Sequence, residues 1–276
     1  MLNVPLVILL DIDGTLIGDI SPQVIMYELK KRLKLPYNAK NLHEQLNGGI
    51  IRPHFKSFFN DLKDYGVEFF IYTASEKKWA EHIVKQIEAT SGVKFNRPLF
   101  TRNNCQLVNG EYKKSIAHVL PSVVKCLKKK YNNLTVASLR NMIMAIDNNN
   151  VYSSVDRKNL VLCDTYPYSS PENIPLYINR SLFDKHSSVI MNLLSSYYPS
   201  IKYTTSYMKF EKQYYIYYVQ MLDKTLKLKS VTPLDTLFKT IRNFIINKNI
   251  STFNENVVQY LNTKLHSQKN ETRTFF

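Results

Sequence analysis

Residues 7–20 read VILLDIDGTLIGDI. Four apolar residues run unbroken into Asp11 and Asp13, and such a run is the pattern of a strand buried on both faces. A doubly buried strand belongs to a parallel sheet covered by helices, where ligands sit beyond the carboxyl ends of the strands. The two acids stand at such an end. On extended backbone, residues i and i+2 point the same way, so both carboxylates can flank one bound atom. Gly14 then lets the chain turn sharply away.

The rest of the chain repeats the alternation. Ser21-Pro22 reads as a helix start, with Ile25, Leu29 and Leu33 on one stripe. HFKSFFNDLKDYG is an amphipathic helix stopped by Gly66, VEFFIYT (67–73) a short strand, and SEKKWAEHIVKQIEA a helix with Trp79, Ile83 and Ile87 expected in the core. AHVLPSVVKCLKKKY is helical, with Lys128, Lys129 and Lys130 at its solvated end. MIMAID (142–147) and NLVLC (159–163) are two further strands. Strand and helix in alternation predict an α/β fold, a doubly wound, mostly parallel sheet with helices on both faces.

The chemistry gathers at the strand ends. Asp11 and Asp13 follow the first strand, Thr73 and Ser75 the second, Asp147 and Asn148 a later one, and the lysine-bearing NGEYKKS (109–115) lies between. Crowded carboxylates repel and raise one another's pKa. A hard divalent cation such as Mg2+, which takes a few carboxylates, a carbonyl and waters, removes that conflict. Add a lysine, a threonine hydroxyl and the amides at a helix N-terminus, and the natural guest is a phosphoryl group. One acid can attack phosphorus as a nucleophile; the other can protonate the leaving oxygen and later deprotonate water.

DIDGT at 11–15 resembles the signature of the haloacid-dehalogenase-like (HAD) phosphohydrolases. Arg52-Pro53 with Phe55 and Phe59, YTAS at 72–75 with Trp79-Ala80, FTRNNC at 100–105, NGEYKKS, IDNNN at 146–150 and Asn159 are similar to the phosphatases of the RNA polymerase II C-terminal domain, the small ones above all. The likeness spans about residues 5–185. It implies a HAD-like fold, Asp11 as nucleophile, Asp13 as general acid/base and Thr73 holding phosphate. It also implies Lys114 as the motif cation, with Lys113 the adjacent alternative. Asp11, Asp13 through its carbonyl, Asp147 and Asn148 would then bind Mg2+. Two departures stand out: Ser115 replaces the acid that usually follows the lysine, and residues 16–51 read as helical where relatives carry a strand-rich, peptide-holding insertion. No large cap is expected, which suits a macromolecular substrate.

Beyond about residue 185 the sequence changes character. TTSYMKFEKQYYIYYVQMLDKTL, TPLDTLFKTIRNFIINK (with a Thr232-Pro233 start) and TFNENVVQYLNTKL read as helices, and HSQKNETRTFF as a frayed end. Residues 188–276 hold 12 Lys and Arg against 5 Asp and Glu. The expected domains are therefore a phosphatase core over 1–187 and a basic helical extension over 188–276. The tyrosines at 214, 215, 217 and 218 are read as packing surface rather than base-stacking platform.

A net charge of +15 favours polyanionic partners, phosphorylated protein first and nucleic acid second. Abundant Lys, Asn, Ile and Tyr equally fit an AT-rich genome, such as that of a large DNA virus. Three scattered cysteines, with Cys105 and Cys163 expected as buried thiols, fit a reducing intracellular setting. No signal peptide or membrane span is expected. The function expected is Mg2+-dependent phosphoprotein hydrolysis. A nucleic-acid terminal phosphatase and a silent HAD-fold scaffold are the alternatives.

Overall fold

A computed structural model describes residues 4–36, 39–231 and 234–273. In chain order the elements are β1 (Leu6–Leu10), α1 (Ser21–Arg32), α2 (Ala39–Gln45), α3 (Phe55–Asp64), β2 (Val67–Ile71), α4 (Lys77–Ser91), β3 (Gln106–Val108) and β4 (Glu111–Lys113). There follow α5 (Ile116–Leu127), α6 (Val136–Leu139), β5 (Ile143–Asp147), β6 (Leu160–Leu162), α7 (Arg180–Tyr197), α8 (Tyr207–Val231), α9 (Leu237–Asn247) and α10 (Glu255–Arg273). Thr232 and Pro233, the expected helix start, lie outside the described residues, as do the last three of the expected frayed end. Residues 266–273 of that end are helical. No helix among the described residues is long and apolar enough to cross a membrane.

The chain forms two compact units. The first comprises Met1–Ile17, Ile51–Tyr166 and Asp235–Phe276. Its sheet runs β2-β1-β5-β6, every neighbouring pair parallel. All five residues of β1 are fully buried, as the unbroken apolar run predicts. The chain leaves β1 toward β2 on one side and returns to β5 on the other, so Asp11 ends the strand at which the winding reverses, the usual ligand position in such a sheet. Crossovers in opposite directions place helices on both faces when each takes the right-handed course usual for parallel strands.

The C-terminal helices complete this unit. Phe238 of α9 packs on Phe58 and Phe55 of α3, with ring centroids 4.7 and 5.7 Å apart. Asn262 of α10 hydrogen-bonds the edge strand β6 through both ends of its amide, accepting from the Leu162 N–H and donating to the Leu160 carbonyl. A side chain thus satisfies backbone groups that an edge strand otherwise leaves bare.

The second unit, Gly18–Ile50 with Pro167–Leu234, is helical. Its core joins Ile25, Met26 and Leu29 of α1 to Phe183, Ile190 and Leu194 of α7 and to Phe210 and Tyr214 of α8. Phe183 and Phe210 stack at 4.8 Å. In the tyrosine run, Tyr214 is buried and donates to the Glu172 carbonyl, Tyr217 packs on Tyr198, and Tyr215 stays exposed.

The expected division at 187/188 falls inside α7, and the chain divides elsewhere. Charge composition reports on surfaces, whereas a compact unit is defined by which apolar faces are buried together. The basic segment is accordingly shared, with α8 in the helical unit and α9 and α10 in the sheet unit. The stretch 16–51 is largely helical, as expected, and from Gly18 to Ile50 it belongs to the helical unit.

Candidate active site

The site forms where β1, β2 and β5 end, all within the first unit. Lys114 is its centre: its Nζ lies 2.7 Å from Asp11 Oδ1 and 2.6 Å from Asp147 Oδ2, with all three side chains buried. Backbone pairing across Val151 and Ser153 holds Lys114 extended, and the Tyr72 and Tyr152 rings lie 5.6 and 5.7 Å from its ammonium. Lys113 instead points to Glu111 near the surface. Burial opposes the Lys114 charge, but the two carboxylates outweigh it and hold its pKa above lysine's ordinary value.

One ammonium does not balance two carboxylates. Burial, and then the neighbouring Asp11 charge, push Asp147 up to about 6 against the pull of Lys114. Asp147 keeps one oxygen on the Asn149 N–H at 2.8 Å.

Asp13 sits slightly farther out. Its Oδ2 accepts from the Ser75 hydroxyl at 2.6 Å, and the Trp79 side chain is near enough to pull its pKa down. Burial is the main cause of its raised pKa, assisted by Asp11 and opposed by Ser75 and Trp79. The Thr73 Oγ1 accepts from the Ser75 N–H at 3.1 Å, so its own hydroxyl proton is left to donate. Helix α4 begins at Lys77, two residues later than the sequence pattern suggests, because Thr73 holds Ser75 in a turn ahead of it.

Asn148 is held in a hydrogen-bond network with Thr15, Asn149 and Thr165. It accepts from the Thr15 hydroxyl and from Asn149 and donates to Thr165, while its N–H donates to Thr15 Oγ1. Gly14 makes that contact possible: its φ is +74°, and a Cβ there would stand 2.4 Å from the Asn148 amide nitrogen. Any side chain at position 14 would displace Asn148.

The structure thus gathers Asp11, Asp147 and Lys114 by direct contact, and ties Asp13 to Thr73 through Ser75. The donor set fits a divalent cation. Its carboxylates carry one charge more than Lys114 offsets, and the other candidate donors, the Asp13 carbonyl and the Asn148 amide, are neutral hard oxygens of the kind Mg2+ accepts. Among the described residues no three His, Cys, Asp or Glu side chains gather as a metal group by themselves, so neutral oxygens would complete the shell.

Three partners escaped the sequence reading. Trp79, assigned to the core, is half-buried and serves Asp13, while Ala80, Ile83, Val84 and Ile87 form the buried stripe. Asp156 accepts from the Ile116 N–H at the start of α5, and Ser115 caps the same helix. Arg52 is buried against Asp235, and its guanidinium also donates to the carbonyls of Thr15 and Asp164. Trp79 had a signal, since it lies in the first turn of the helix that follows the Thr73–Ser75 turn; Asp156 and Asp235 had none. Cys163 is buried and its thiol pushed up to about 12 by that burial, whereas Cys105 is only half-buried.

The family model described as NLI interacting factor-like phosphatase matches residues 6–194. No curated protein matches the chain. Similar solved structures include two of Fcp1. That of Fcp1, an essential RNA polymerase II C-terminal-domain phosphatase, is 15% identical with a TM-score of 0.37, covering 92% of this chain and 69% of that one. That of a fission yeast Fcp1 variant bound to beryllium fluoride is 14% identical with a TM-score of 0.35 and the same coverage.

Proposed function

The chain belongs to the NLI interacting factor-like phosphatase family, and from that premise we propose that it hydrolyses phosphoserine or phosphothreonine in protein, with Mg2+ and a phosphorylated Asp11. The observation that carries the reading is the Lys114 ammonium held at once on Asp11 and Asp147. It holds the Asp11 carboxylate in place by direct contact, as an aimed in-line nucleophile requires.

Asp11 attacks phosphorus as the bond to the serine or threonine oxygen breaks, and Asp13 passes its proton to that departing oxygen. Asp13, now a carboxylate, takes a proton from water, whose oxygen attacks the phosphorus of the aspartyl-phosphate. Phosphate leaves and Asp11 is restored. The Thr73 hydroxyl donates to a phosphoryl oxygen, and Lys114 offsets the charge that gathers there. Asp11, Asp147, the Asp13 carbonyl and Asn148 would hold Mg2+, which supplies positive charge toward the phosphoryl oxygens when bound.

The test pairs wild type with Asp11→Asn on a phosphopeptide and on a 3′-phosphorylated oligonucleotide. Turnover of the peptide that needs Mg2+, stops with chelator and falls about a thousandfold or more in Asp11→Asn is the expected result. Turnover of the oligonucleotide alone would move the substrate class to nucleic acid. Absence of turnover on both would leave a phosphatase fold used for binding.

A further inference from the structure

The hairpin β3–β4 lies just ahead of Lys114 in the chain and belongs to the same unit as the site. Asn109 and Gly110 turn it, both with positive φ (52° and 80°), the conformation that a tight two-residue hairpin turn demands. It carries exposed apolar side chains: Leu107 is 66% exposed, Val108 45% and Tyr112 44%. A soluble surface gains nothing from three such residues on one short hairpin.

Their directions distinguish them. Lys114 sends its side chain into the catalytic cluster, and Tyr112 stands two residues earlier on the same extended chain. Residues i and i+2 share a side, so Tyr112 projects on the catalytic side, about 7 Å farther out along the strand. Leu107 is the cross-strand partner of Tyr112 and shares its face. Val108, paired with Glu111, lies on the opposite face. Arg102 binds the row to the phosphate loop: its guanidinium sits 5.2 Å from the Tyr112 ring centroid while its Nε donates to the Ala74 carbonyl, between Thr73 and Ser75. A continuous strip therefore leads outward from Lys114 through Tyr112 to Leu107, with a cation along one edge.

We infer that this strip is a subsite for the substrate chain, taking an apolar side chain a few residues from the phosphorylated serine or threonine. The inference rests on the phosphoprotein reading and adds a sequence preference to it. An extended peptide entering with its phosphate at Asp11 can lay its neighbouring residues along the exposed Tyr112 and Leu107. Arg102 favours the anionic neighbourhood of the phosphate.

The experiment is a phosphopeptide panel in which each position from −3 to +3 around phosphoserine carries leucine or aspartate. Wild type should turn over the best leucine peptide about tenfold faster in kcat/KM than its aspartate counterpart, the value of burying one aliphatic side chain. Leu107→Ser and Tyr112→Ala should each lower that ratio to about twofold, Tyr112→Phe should restore it, and Val108→Ser should leave the ratio as in wild type. Equal rates across the panel, or a preference that survives both Leu107→Ser and Tyr112→Ala, would overturn the subsite. Should no peptide be hydrolysed, the phosphatase reading fails by itself, and binding decides the strip. Fluorescence anisotropy of the same peptides on Asp11→Asn protein then supports it with a tenfold affinity difference and overturns it with none. Tighter binding of a 3′-phosphorylated oligonucleotide than of any peptide, lost in Tyr112→Ala, would also overturn it.

Discussion

Two buried cations serve the first unit, and they are partnered in opposite proportions. Lys114, 1% exposed, faces two carboxylates, with Asp13 close enough to Asp11 for their charges to interact. Arg52, 4% exposed, faces one: it grips both oxygens of Asp235 at 2.9–3.0 Å and directs its remaining nitrogen to the Thr15 and Asp164 carbonyls and the Cys163 sulfur. The second cluster is electrically closed and geometrically complete. The first is short of positive charge and faces the mouth of the sheet. A balanced buried pair holds a fold together; an unbalanced one with excess carboxylate, at a strand end, has charge left for a bound cation to offset. The two are linked, since Arg52 fixes the Thr15 carbonyl while the Thr15 hydroxyl holds Asn148.

The sharpest way to break this distinction is Lys114→Met. Removing the cation leaves Asp11 and Asp147 buried beside each other. Activity on any phosphate ester should fall by about three orders of magnitude. Stability in metal-free buffer should fall by about 3–5 kcal/mol, the cost of leaving a buried charge unpaired. Activity assays and urea unfolding in the presence of chelator check both. A variant that keeps turnover would mean that Lys114 is a strut like Arg52.

Arg52→Met should act in the reverse order. Its loss strands Asp235 and two carbonyls, so unfolding should come about 3 kcal/mol earlier. The folded fraction should keep a kcat within about tenfold of wild type, because no reacting atom touches Arg52. Asp235→Asn should cost less, as the guanidinium retains Thr15 and Asp164. Urea denaturation alongside kcat, measured per folded molecule, separates this pattern from that of Lys114. A kcat loss as deep as that of Lys114→Met would place Arg52 in the chemistry.

How far the sequence revealed these two clusters differs for the same physical reason. The Lys114 cluster lies at strand ends, and strands announce themselves by apolar runs, so Asp11, Asp13, Thr73 and Asp147 could be marked before any coordinates. The choice of Lys114 over Lys113 came from family likeness alone; Lys114 lies against Asp11 and Asp147, and Lys113 against Glu111. Arg52 and Asp235 are 183 positions apart, and no periodicity connects them. The division into units was hidden likewise. Phe238 and Asn262 belong to the sheet unit through packing and a strand-like amide, and neither leaves a trace in charge composition. The hairpin has its own local signal in Asn109-Gly110, the dipeptide of a tight two-residue turn.

A third buried carboxylate gives the smallest and cleanest test of the charge-balance argument. Glu68 lies on β2 of the same sheet as Asp147, and both are almost wholly buried. Yet their pKa values move in opposite directions. Glu68 has cations in excess: Lys130 at 2.7 Å and Lys63 at 3.6 Å, with Asn96 and Tyr131 donating as well. Burial is again the largest single influence and raises its pKa, but these donors together outweigh it and leave the value below glutamate's ordinary 4.5. A depressed folded-state pKa contributes stability above the unfolded value, and the contribution drains away as pH falls through the folded one. Glu68→Gln should therefore cost about 1 kcal/mol near neutrality, a modest figure because Lys130 and Lys63 keep much of their surface in water. The loss should shrink as pH drops below about 4.5. Urea unfolding of wild type and variant from pH 7 to pH 3 measures the gap directly. A gap that stays constant over that range would mean that Glu68 stabilises by packing alone, and that counting cations against carboxylates does not explain why the two strands' acids diverge.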